Sequence, residues 1–121
     1  MRRPLAILAA ITLLLGACTS APPLASFTGQ SITVVAVGLA FHPNVVELPA
    51  GQPLRIVLDN QDSGVPHDVH VFQGDTDLGT SATVTGPGQT EVRFGPLTAG
   101  TYQFACTVHP AMTGSITIVA P

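Results

Sequence analysis

The chain of 121 residues has no Trp, no Lys, one Tyr and two Cys, and only 9% of its residues are charged. Each scarcity excludes something. Without Lys, with two of its four Arg at positions 2 and 3 and a formal charge of −3, the chain offers no basic surface, which argues against a nucleic-acid partner. Twelve Gly and eleven Pro leave little room for helix, since Pro removes a backbone donor and both residues punctuate turns. No segment beyond residue 18 carries a helical apolar stripe, and no repeat or second domain is visible. What remains is a 45% apolar chain of single-domain length, enough to fill one core.

Residues 1–17 place Arg2 and Arg3 ahead of a run from Leu5 to Leu15 that is apolar except for Thr12, then small residues. That order is the one a secretory signal peptide shows. The run is short for a membrane span, which needs roughly 20 apolar residues. Its tail, Leu15-Gly16-Ala17-Cys18, resembles a bacterial lipobox, a signal cut before the Cys, whose sulfur and new amino group are then acylated. The reading is therefore a removed leader (1–17), a lipidated Cys18 with a Pro/Ser/Ala-rich tether (18–30), and a folded domain (31–121). Twelve tether residues span at most about 40 Å at ~3.3 Å each. Lipid on Cys18 leaves Cys106 as a lone thiol in an oxidising compartment, where a free thiol usually has a purpose.

From residue 31 the pattern is that of short strands. Val34 to Val37 form a β-branched run of the kind buried inside a sandwich. Leu54, Ile56 and Leu58 alternate with more polar neighbours, as do Val92 and Phe94, then Tyr102, Phe104 and Cys106, then Ile116 and Ile118. Pro49-Ala50-Gly51, Asp62-Ser63-Gly64, Gly86-Pro87-Gly88, Ala99-Gly100 and Thr113-Gly114 read as turns between them. The expectation is an all-β fold, a small antiparallel Greek-key β-sandwich of seven to eight strands.

One stretch carries chemistry. Period 2 points Cys106 inward beside Tyr102 and Phe104, and the loop that follows holds His109 and Met112. A thiolate, an imidazole and a thioether within seven residues form a soft ligand set suited to copper. Pro66-His67-Asp68-Val69-His70 offers a further nitrogen. His67 and His70 face opposite ways in a strand, and period alone leaves both open: His67 shares a face with Val69 and Val71, His70 with Phe72.

Together, Phe41-His42-Pro43, Pro49-Ala50-Gly51, Pro66-His67-Asp68-Val69-His70, Gly100 to Cys106 and His109-Pro110-Ala111-Met112-Thr113-Gly114 resemble the cupredoxins, the type 1 (blue) copper family, over residues 31–120. The Cys-x2-His-x2-Met spacing is similar to that of amicyanin. The resemblance implies one type 1 copper per chain, with His67, Cys106 and His109 as strong ligands and Met112 as the weak axial one. It also implies a carrier of single electrons rather than an enzyme, with the edge of His109 reaching the surface in an apolar patch beside Val108, Pro110 and Ala111. A redox donor and acceptor would then be its partners, and a monomer at the extracytoplasmic side of a bacterial membrane its form. The alternative is an envelope protein that sequesters, stores or delivers copper through the same ligands. Asp68 departs from the family pattern, in which Asn commonly follows the first His and bridges to the loop after the Cys. An Asp there adds negative charge near the metal, so the expectation is a lower reduction potential than that of an Asn variant. His42 reads as a solvated loop residue, and Asp59, Asp62, Asp75 and Asp77 as turn formers rather than a calcium site.

Overall fold

Period-2 alternation builds two sheets that close on one apolar layer. The structure, a computed structural model, describes residues 27–121. The leader at 1–17, the lipidation at Cys18 and the tether up to residue 26 lie outside the described residues. In chain order the strands are β1 (Gln30–Val37), β2 (Ala40–His42), β3 (Val45–Pro49), β4 (Leu54–Asn60), β5 (Pro66–His67), β6 (His70–Gln73), β7 (Thr76–Thr80), β8 (Val84–Thr85), β9 (Gly88–Phe94), β10 (Gly100–Ala105) and β11 (Thr113–Val119). Among the described residues no helix forms. One sheet has the order β2-β1-β4-β9 and the other β3-β11-β10-β6-β7, while β5 and β8 make a small ribbon of their own.

The alternation lands as expected in most strands. Leu54, Ile56 and Leu58 of β4 face Tyr102 and Phe104 of β10 and Ile116 and Ile118 of β11 across a buried interior. Val92 and Phe94 close the core from β9. Burying such side chains is worth about 1.5–3 kcal/mol each before the entropy of ordering the chain is charged against it.

Four details differ from the sequence expectation. The sheets are mixed, because β1 lies parallel to β4 and β3 parallel to β11. The chain visits the second sheet between β1 and β4, so no hairpin forces the returning strand to reverse. The described residues form eleven strands rather than seven or eight, the additions being short pairings such as β2, β5 and β8 that carry too few residues to show a period. The Val34–Val37 run is half-buried: Val34 and Ala36 face in, whereas Val37 is 42% exposed. Thr113 and Gly114 begin β11 instead of forming a turn; a Cβ on Gly114 would strike the Phe104 ring, so glycine there permits close packing. At the N-terminal side, Gln30 already pairs in β1, and the Phe27 ring lies 4.9 Å from the Arg55 guanidinium and 5.3 Å from that of Arg93.

The ends of β4 and β10 meet β5 at one end of the sandwich. Asn60, last in β4, donates from Nδ2 to the carbonyls of Val65 (2.8 Å) and Val84 (2.9 Å), fastening the loop before β5 to β8. This end holds the ligand candidates.

Candidate metal centre

His67 sits at the end of β5, its position set by pairing with Val84 across the ribbon. Cys106 follows the last residue of β10 and continues its inward face, so it is 1% exposed. Beyond it the chain folds back on itself. The Met112 amide donates to the His109 carbonyl (2.8 Å), and the Cys106 amide donates to the Met112 carbonyl (3.0 Å). These two bonds close a loop only as long as Cys-x2-His-x2-Met allows, and they bring the Met112 backbone back beside that of Cys106.

The side chains converge. Cys106 Sγ lies 3.7 Å from His67 Nδ1 and 3.8 Å from His109 Nδ1, and the three ligand atoms fall within 4.8 Å of one another. A metal about 2.1 Å from each of three coplanar ligands needs them roughly 3.6 Å apart, so the two sulfur–nitrogen spacings suit a trigonal site. His67 is fully buried, His109 is half-buried, and Met112 is buried in the same loop. The two imidazole rings stand 4.8 Å apart, tilted by 59°. Two nitrogens, a thiolate and a thioether form the ligand set that copper prefers over other common metals.

The cluster is braced from outside. Asp68 is buried; it accepts from the Thr107 amide (2.7 Å), from the Thr107 hydroxyl and from the Thr83 hydroxyl (3.4 Å). Because Asp68 follows one ligand and Thr107 follows another, this carboxylate joins the two ligand segments directly. It makes the bridge that the resemblance leads one to expect of an Asn at this position, and it is not a solvated carboxylate. Strand alternation does not run through Asp68, because the chain leaves sheet geometry between β5 and β6.

His70 stays out of the centre. Its Nε2 lies 3.1 Å from Asp77 Oδ1, its ring stacks on Phe72 at 5.0 Å, and it takes no part in the ligand cluster. His42 is exposed, as expected, but it closes strand β2, paired with Val35, instead of lying in a loop. Asp62 does more than form a turn. One of its carboxylate oxygens lies 2.9 Å from His67 Nε2, and the carboxylate also accepts from the amides of Gly38 (2.6 Å) and Leu39 (3.0 Å). Hydrogen bonds from the Leu39 amide, from His67 and from the Gly38 amide hold its carboxyl below the usual carboxylate range. No motif points to Asn60 or Thr107, and the sequence marks Asp62 only as a turn former. The only sequence signal for Asp62 is a carboxylate five residues ahead of a ligand His, which a turn-forming Asp shares.

The sequence matches the family described as Cupredoxin-like domain over residues 5–118, and the chain belongs to that family. Its ligand set, His67, Cys106, His109 and Met112, is consistent with one type 1 copper per chain. Among solved structures it is similar to auracyanin B (TM-score 0.69, 24% identity, covering 78% of this chain and 92% of that one). It is also similar to auracyanin A, a "blue" copper protein from the green thermophilic photosynthetic bacterium Chloroflexus aurantiacus (TM-score 0.66, 22% identity, 74% and 98% covered). A reduced amicyanin mutant matches with TM-score 0.58 and 23% identity, 74% and 82% covered. At these identities the likeness is one of fold. No curated protein sequence matches the chain.

Proposed function

We propose that this protein carries single electrons in a bacterial cell envelope, held to the membrane by lipid on Cys18. The observation that supports the reading best is the closed ligand cluster with one half-buried member. His67 and Cys106 are sealed from solvent, while His109 reaches the surface beside exposed Val108, Pro110 and Ala111. Copper bound there supplies a one-electron Cu(II)/Cu(I) couple. The protein's part is to hold the ligands still, and it does so through the Met112 and Cys106 amides and the Asp68 bridge. A geometry that does not relax between the two oxidation states keeps the reorganisation for each transfer small. The His109 edge gives electrons an exit, and its apolar surroundings suit a redox partner with an apolar face. No strong ligand position is left open for a substrate, as hydrolysis or oxygen activation would require.

A copper-delivery role would need ligands that release readily. The buried thiol and the pinned loop favour retention instead. Adding Cu(II) to the metal-free protein should produce an intense thiolate-to-copper absorption band that Cys106→Ala loses. A colourless product, or colour retained in Cys106→Ala, overturns the carrier reading. The tether is tested separately: wild-type protein made in a bacterial host should fractionate with membranes and Cys18→Ser should not, and equal distribution of the two removes the anchor.

A further inference from the structure

Asp62 is not a ligand, yet its carboxylate joins a ligand candidate, His67, to the exposed turn at Gly38 and Leu39. His67 presents Nδ1 to the Cys106 side and Nε2 to the Asp62 carboxylate at 2.9 Å. An ionised carboxylate only accepts hydrogen bonds, so Nε2 must be the donor, and the neutral ring keeps its lone pair on Nδ1, where the metal belongs. His67 is fully buried, so without Asp62 that N–H loses its acceptor inside the protein.

The same carboxylate receives the amides of Gly38 and Leu39, 24 and 23 residues away in sequence. A residue serving only its own turn has no need of such distant partners. Gly38 and Leu39 are both left-handed, with φ of 63° and 57°, and Leu39 is 55% exposed. Leu is disfavoured in that region because its Cβ crowds the following carbonyl. The conformation aims two successive amides at one anion, and those bonds offset the crowding. Asp62 is itself located by Asn60, whose Oδ1 accepts from the Asp62 amide at 3.0 Å.

We infer that Asp62 is a positioning residue of the copper centre: it holds His67 as the Nε2–H donor, keeps a negative charge behind that ligand, and locks the exposed Gly38–Leu39 turn to it. A carboxylate on the far nitrogen raises the basicity of a ligating imidazole. That favours Cu(II) over Cu(I) and lowers the potential. It also makes the Gly38–Leu39 turn and the His67 ring one mechanical unit, so a surface turn with no ligand of its own becomes part of the redox site. The inference rests on the copper reading above for its effect on potential; the hydrogen-bond lock stands without metal.

Two readouts test it. In the copper-free protein, NMR should show a slowly exchanging His67 Nε2 proton together with protected Gly38 and Leu39 amides. Asp62→Ala should speed exchange at all three by tenfold or more. In the copper-loaded protein, Asp62→Asn should shift the balance about tenfold toward Cu(I), a rise of about 59 mV for one electron. Asp62→Glu, which keeps the charge, should stay nearer to wild type. If Asp62→Ala does not fold, the wild-type protein carries the exchange arm alone, and fast exchange of the His67 Nε2 proton there overturns the inference, since Asn would keep an accepting oxygen. Unchanged exchange at the three protons, or a potential equal to or below wild type in Asp62→Asn, overturns the inference. Because the exchange arm needs no metal, failure of Asp62's role and failure to form a blue copper site are seen separately.

Discussion

The middle of the sandwich and its copper end are built on the same strands from different chemistry. Along β4, Leu54, Ile56, Leu58 and Asn60 all face inward and all are fully buried. The first three belong to the apolar core, where attraction has no direction and tolerates rearrangement. Asn60 meets two carbonyls and an amide, and each needs its partner at a set distance. The other buried polar residues among those described, His67, Asp68 and Ser81, lie around the same end, and no buried side-chain nitrogen or oxygen lacks a partner. The lesson is that burial alone does not say what a position can accept. A site that holds a metal rigid concentrates directional bonds, while the body that carries it needs only the right volume.

The sharpest way to break this comparison is to make the copper end apolar. Asn60→Leu keeps the approximate volume of the side chain but takes the donor from the Val84 carbonyl and the acceptor from the Asp62 amide, while the Val65 carbonyl keeps only the Gly86 amide (3.1 Å). Each buried group left unpaired costs about 1–3 kcal/mol, so the variant should lose about 2 kcal/mol or more in urea unfolding of the copper-free protein. A loss below about 1 kcal/mol would mean that the loop before β5 is not held by Asn60 and that the two regions differ less than their bonding implies.

The next effect is smaller and electronic. Asp68→Asn keeps an oxygen for the Thr107 amide and removes a buried negative charge near the ligands. Loss of that charge favours the less positive Cu(I), so the potential should rise. A tenfold change in the Cu(II)/Cu(I) preference corresponds to about 59 mV for one electron. Cyclic voltammetry of both proteins at one pH decides the sign, and a fall or no change defeats the argument. The bridge itself should survive, with the melting temperature of the metal-free variant close to wild type.

These two variants bear on what could be read from the residues alone. The fold class was legible because β4, β9, β10 and β11 keep a strict period, and the inward face of β10 runs on into Cys106. The sulfur ligands were legible because they pack like core residues yet stand in a metal-binding spacing. His67 was not decided by period, since β5 is two residues long and the chain leaves sheet geometry before His70; resemblance to a family was needed to choose it. The parallel pairing of β1 with β4 was hidden because it joins segments separated by a visit to the other sheet. Asn60 and Asp62 were hidden for a different reason. Their partners are backbone groups and a histidine ring brought near by folding, and a turn-forming Asp has the same sequence signature whether or not a ligand stands behind it.

The smallest effects belong to the body, and they test whether it is independent of the copper end. Ile56 is fully buried, so Ile56→Val removes one methylene from a packed layer and should cost about 1 kcal/mol. Val45, 64% exposed on the edge strand β3, should accept Thr with a change within about 0.5 kcal/mol, because the β-branched shape is kept and little apolar surface leaves the core. Neither substitution removes a hydrogen bond or a charge from the ligand segments, so both should leave the potential and the thiolate absorption where they are. Stability and potential would then respond to different residues, which is what a rigid centre mounted on a tolerant scaffold requires. A potential shift in Ile56→Val as large as that in Asp68→Asn would show that strain in the apolar layer reaches the ligands, and that the two chemistries on β4 are not separable.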